Sequence, residues 1–161
     1  MGNSPSAALA YGYDLGGEGW KFREVDEYGG IDAEKVTWYD DSEDADDFIT
    51  QAERHLLAAA GFTETWETRV GDGFFKRESA AKERLGVTFE RYSYGEDPMY
   101  VLAAKTISVG DDQALVIGKQ DVAPDLGQFL EWNRTLKAAL DTLGITPEQE
   151  SPSWLLCAYY S

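Results

Sequence analysis

Six carboxylates crowd residues 40–47: Asp40, Asp41, Glu43, Asp44, Asp46 and Asp47. Oxygen donors at Asp40, Ser42, Asp44 and Asp46 alternate as they do at the start of a calcium loop. A helix–loop–helix calcium site also needs Gly at its sixth position and a bidentate Glu at its twelfth. Counted from Asp40, those positions hold Ala45 and Gln51, so no metal site is assigned here. Two other chemistries fit the run. Acids at a helix start favour the helix dipole. A row of carboxylates also complements a patch of Lys and Arg on another protein, which makes these six the candidate partner-binding residues.

His55 is the only histidine and Cys157 the only cysteine. That excludes an intrachain disulfide, a cysteine-based zinc site and any two-histidine metal motif. A Cys157 nucleophile with His55 as base is conceivable. However, Cys157 lies in the apolar run 154–160, where a buried, inert thiol is expected. A Ser-His-Asp hydrolase needs a Gly-x-Ser-x-Gly elbow, which the chain lacks. No catalytic residue and no cofactor is assigned. The alternative reading is a small-ligand domain or small enzyme with a Tyr- and Trp-lined pocket, using Tyr11, Tyr13, Asp14 and His55.

Tyr13-Asp14-Leu15-Gly16-Gly17 resembles the first phosphate loop of sugar kinases of the actin-like ATPase class. The resemblance implies an Asp at a metal site and glycines that let backbone N–H groups approach phosphate. It covers five residues. Glu18 replaces the family's Thr and would repel phosphate, and the chain is under half that fold's length. A glycine-rich hairpin over 16–19 is the plainer expectation.

The elements that position these residues follow from periodicity and punctuation. Apolar stripes predict helices over 43–60, 73–85 and 125–143. The last aligns Leu126, Phe129, Leu130, Asn133, Leu136, Leu140 and Leu143. Gly61, Gly86 and Gly144 each follow a helical pattern and precede an apolar residue and Thr, the signature of a left-handed C-terminal cap. Strands are expected over 8–15, 20–25, 36–39, 87–94, 100–109, 114–118 and 154–160, with a hairpin through 94–98. Pro5, Pro98 and Pro152 each open a strand-like stretch, suggesting three neighbours in one sheet. The run from Trp154 to Tyr160 has no polar face and reads as a strand buried on both sides at the centre of the sheet, flanked by the strands after Pro5 and Pro98. The order predicts an α+β fold, a mainly antiparallel sheet with about three helices packed on one face.

With 161 residues, 43% of them hydrophobic, a single domain over 1–161 can bury roughly 70% of its unfolded surface. No apolar run reaches the roughly 18 residues a membrane span needs. The N-terminus lacks a basic, then apolar, leader, so a cytoplasmic setting is expected. Net charge is −16, and residues 1–48 hold 13 acids against 3 bases. Such a chain repels nucleic acid and anionic membrane and attracts basic proteins.

At whole-chain level the sequence resembles a group of small uncharacterised acidic proteins from actinobacteria and their phages. The resemblance rests on residues 10–17 (Ala-Tyr-Gly-Tyr-Asp-Leu-Gly-Gly), 61–65 (Gly-Phe-Thr-Glu-Thr), Pro98-Met99-Tyr100 with 102–105 (Leu-Ala-Ala-Lys), and Pro152 with Trp154-Leu155-Leu156. It implies a phage or accessory-genome setting and transfers no active site. The expectation is an acidic interaction module, of the counter-defence inhibitor or immunity type, that binds a basic protein surface through its N-terminal third.

Overall fold

In the computed structural model, residues 4–93 and 97–160 are described. The fold is α+β, built on one antiparallel sheet. Its centre is β1 (Pro5–Gly17), which pairs with β4 (Met99–Val109) on one side. On the other side it pairs with β5 (Ser153–Tyr160) and then with the short β2 (Gly19–Trp20). β3 (Thr88–Tyr92) adds to the far edge of β4. The three Pro-led strands are therefore neighbours, with β1 in the middle.

That order corrects the reading of the last strand. β5 pairs along its length with β1 alone; its other edge forms no ladder among the described residues, only the isolated Ser93 to Tyr159 bridge. Leu156 is 81% exposed. An apolar composition does not by itself place a strand at a sheet's centre; here β1, with its small residues, holds that place.

Alternation along the strands builds two cores. Tyr11, Tyr100 and Leu102 face a large cluster that includes Phe48, Ala52 and Leu56 of α1 (Phe48–Ala59). Leu136, Leu140 and Leu143 of α4 (Leu126–Leu143) complete it. The intervening Ala10, Val101, Ala103 and Cys157 form a second, smaller cluster, closed by Tyr92 and Leu155. Small side chains let β3 and β5 approach over this cluster, which Tyr92 and Leu155 both pack against. Gly12 is required there, because a Cβ would come 1.8 Å from Leu102 O.

β1 has no strand partner between the end of β5 and the start of β2. Gln149 fills the gap. Its Nε2 donates to Gly12 O at 2.8 Å and its Oε1 accepts from Asp14 N at 3.1 Å. One side-chain amide thus stands in for a missing strand residue at Gly12 O and Asp14 N.

The helices end where glycine predicts. Phe62 N donates to Leu57 O and Gly61 N to Ala58 O; Ile145 and Gly144 repeat the pattern on α4. The starts are sharper than expected. α1 begins at Phe48, not 43, with Asp47 as its cap; α4 begins after Asp125, whose side chain accepts from Gln128 N. α2 (Phe74–Leu85) starts from Gly73, and α3 (Lys119–Val122) is a single turn. Residues 36–39 and 114–118 form no strand, and of 20–25 only Trp20 lies in one. The 94–96 part of the expected hairpin falls outside the described residues, although β3 and β4 do pair antiparallel. Leu126 and Leu130, assigned to the buried stripe, are 72% and 58% exposed.

Candidate functional site

The acidic run is a loop pinned to α1 from below. Gln51, the one buried polar residue among the described residues, is 8% exposed. Its Oε1 accepts from Asp40 N at 2.8 Å, and its Nε2 donates to Asp40 O at 2.9 Å and Asp46 O at 2.7 Å. A single amide therefore holds both ends of the 40–46 loop. The run cannot join the helix cheaply, since it would place Glu43 and Asp47 at like-charged i,i+4 positions.

The six carboxylates divide by use. Asp47 Oδ1 caps α1 at Thr50 N (2.9 Å), and its Oδ2 meets Arg91 at 2.6 Å. Asp46 pairs with Arg54 at 2.8 Å. Asp40 accepts from Ser42 N at 3.0 Å, and the hydrogen bonds from Ser42 lower its carboxyl below the ordinary value. Asp41, Glu43 and Asp44 are exposed and make no hydrogen bond or ion pair with any described residue. Beside the run, the Tyr39 phenol is pushed up by burial and then by Asp41 and Asp40.

The four residues of the expected ligand pocket do not come together. Tyr11 is 7% exposed, donates to Asn133 Oδ1 at 2.7 Å and packs among Phe129, Trp132 and Trp154. Tyr13 lies partly buried at the rim of the same core. Asp14, one position on, points to the other face of the sheet. Its Oδ1 accepts from Gly16 N at 3.0 Å and Tyr92 OH at 2.5 Å, and its Oδ2 from Lys21 Nζ at 2.7 Å. Burial pushes its carboxyl up, but bonds from Lys21, Tyr92 and Gly16 outweigh it and the net direction is down. Asp14 is thus a knot tying β1 to β3 and to the residue after β2. A lysine ammonium sits where the phosphate-loop resemblance would put a cation.

His55 is elsewhere. Its ring stacks on Trp38 at 5.5 Å and 16°, and its Nε2 donates to Thr142 O at 3.1 Å. Trp38 Nε1 donates to Leu143 O at 2.8 Å. Together the two rings satisfy carbonyls of the last turn of α4, which have no partner within their own helix. Cys157 is 7% exposed, and burial raises its thiol, with Asp14 and Glu90 adding to the shift.

Sequence reasoning missed a hollow of about 840 Å³ between α1, α2 and the 62–73 connection. Its aromatic wall is Phe62, Trp66, Phe74 and Phe75. These residues follow no period, and their convergence depends on the 62–73 connection turning back on α2. Glu64 holds that turn: it accepts from Val70 N at 2.9 Å and pairs with Arg77 at 2.5 Å. Among the described residues no helix is long and apolar enough to cross a membrane, and no group of three metal-ligating side chains occurs. No family model, curated protein or solved structure matches the chain, so the functional argument rests on the chemistry of its own surface.

Proposed function

We propose that the protein is a non-enzymatic interaction module that binds a basic protein surface through residues 40–47. The observation that carries this reading is the clamp at Gln51. It spends a buried amide on holding an acidic loop in one conformation, while Asp41, Glu43 and Asp44 remain exposed and unpaired with described residues. A loop whose acids served only solubility would need no such restraint. Pre-ordered charge steers a complementary partner and lowers the ordering cost of binding. An inhibitor of a basic host protein or an immunity-type protein, in a phage or accessory-genome setting, fits this chemistry.

Affinity capture from native host lysate tests it. Wild type is compared with Asp41→Lys/Glu43→Lys/Asp44→Lys and with Glu27→Lys/Glu34→Lys/Glu150→Lys, which changes net charge equally at other exposed positions. The reading expects a protein retained by wild type and the second variant and lost by the first. Identical capture by all three would sink it.

A further inference from the structure

The aromatic hollow and the acidic loop lie on two flanks of one helix. Arg54 and Ala58 of α1 line the large hollow, and both also line a smaller hollow of about 420 Å³ that contains Asp40, Asp44 and Asp46. The large hollow is not closed over. Trp66 is 49% exposed, Phe75 65% and nearby Val70 81%. Trp66 and Phe75 stack at 5.2 Å and 19°, and both rings meet the buried Phe74 edge-on. Arg69 covers one face of Trp66 at 3.7 Å. Exposed aromatics held in a preformed arrangement are the usual anchors of an interface.

Charge at the hollow itself is balanced, because Arg77 pairs with Glu64 and Arg69 lies over Trp66, and the excess of acid lies in the neighbouring 40–46 loop. Glu53, Glu64, Glu67 and Glu78 line it against Arg54 and Lys82. Lys82 alone serves two carboxylates, Glu53 at 3.2 Å and Glu78 at 3.7 Å. Asp40, Asp44 and Asp46 of the neighbouring loop bring negative charge up to Arg54 and Ala58 at the edge of the hollow. An apolar trough bordered by carboxylates complements a helix with one apolar and one basic face.

We propose that the groove between α1 and α2 seats a basic amphipathic helical segment of the partner, its apolar side chains on Trp66 and Phe75 and its Lys or Arg toward the 40–46 loop. This rests on the reading of the acidic run as a partner surface and names the kind of segment that surface takes. Leu126 and Leu130 are also exposed, but they line neither of these two hollows.

The test uses the whole chain and a labelled synthetic Leu/Lys peptide with Leu at i, i+3, i+4 and i+7. A scrambled peptide of the same composition is the control. Binding is read by fluorescence anisotropy, and its location by the Trp66 indole N–H in a heteronuclear NMR spectrum. Phe75→Ser and Trp66→Ser change exposed positions, so thermal midpoints and circular dichroism confirm that they fold; Leu130→Ser is the location control. The proposal expects the amphipathic peptide to bind wild type and Leu130→Ser alike and to shift the Trp66 signal. It expects about tenfold weaker binding to Phe75→Ser and Trp66→Ser. No binding, equal binding of the scrambled peptide, or indifference to Phe75→Ser overturns it. The triple reversal at Asp41, Glu43 and Asp44 separates the two readings. Loss on reversal without loss on Phe75→Ser leaves the acidic surface standing and removes the groove. Loss on Phe75→Ser without loss on reversal removes the acidic reading, and with it the basic half of this proposal.

Discussion

Removing the Gln51 amide would strip partners from three backbone groups at once: Asp40 N–H, Asp40 C=O and Asp46 C=O. Gln51→Ala is expected to lower stability by about 2–3 kcal/mol, because orphaned polar groups near the core keep their desolvation cost. Amide hydrogen exchange over 40–46 should accelerate far more than over α4. Tyr92 is the comparable residue on the other face of the sheet. Tyr92→Phe removes a hydrogen bond to the charged Asp14 carboxylate and should cost about 1.5–3 kcal/mol, read from urea denaturation. Neither contact was visible in sequence. Tyr92 and Asp14 are 78 positions apart, and Gln51 carries no mark that separates a buried amide from an exposed one. The composition did show that Cys157 belongs to a core, since a lone thiol in an uncharged run has no group nearby to ionise it.

The start of α1 depends on Asp47, and Asp47→Ala should cost about 1 kcal/mol through the lost cap. The exposed pair with Arg91 adds little to that figure. The 62–73 connection depends instead on Glu64, which makes it sensitive to acid. Hydrogen bonds from Arg77 and Val70 N lower the Glu64 carboxyl from 4.5 to about 2. A lowered carboxyl stabilises fully above its unfolded value and loses that contribution as pH falls through the folded one. The thermal midpoint of wild type should therefore fall between about pH 4.5 and 2 by more than that of Glu64→Gln, the two curves converging at the acid end. Helix ends were legible because Gly after an apolar stripe acts locally. The start of α1 was not, because six carboxylates read equally well as a first turn and as a loop. The place of β5 was not legible either: an apolar, aromatic strand looks central from its composition, and pairing with β1 on one side only is a tertiary fact.

At the scale of the molecule, the sheet uses its small-residue face for a minor core and its aromatic face for the helices. The flank of α1 away from the sheet is left to carry acids and exposed aromatic rings. The α+β class and the three Pro-led neighbours followed from element order and punctuation. The proposed partner surface did not, because it joins residues 40–47 to Trp66 and Phe75 across three elements. The central claim is that the acidic loop works through its held shape and not through charge alone. Capture by Gln51→Ala tests this most directly, since that variant keeps all six carboxylates and the net charge of −16. With folding confirmed by circular dichroism, the account predicts that Gln51→Ala loses most of the partner that wild type retains. Retention equal to wild type would contradict it.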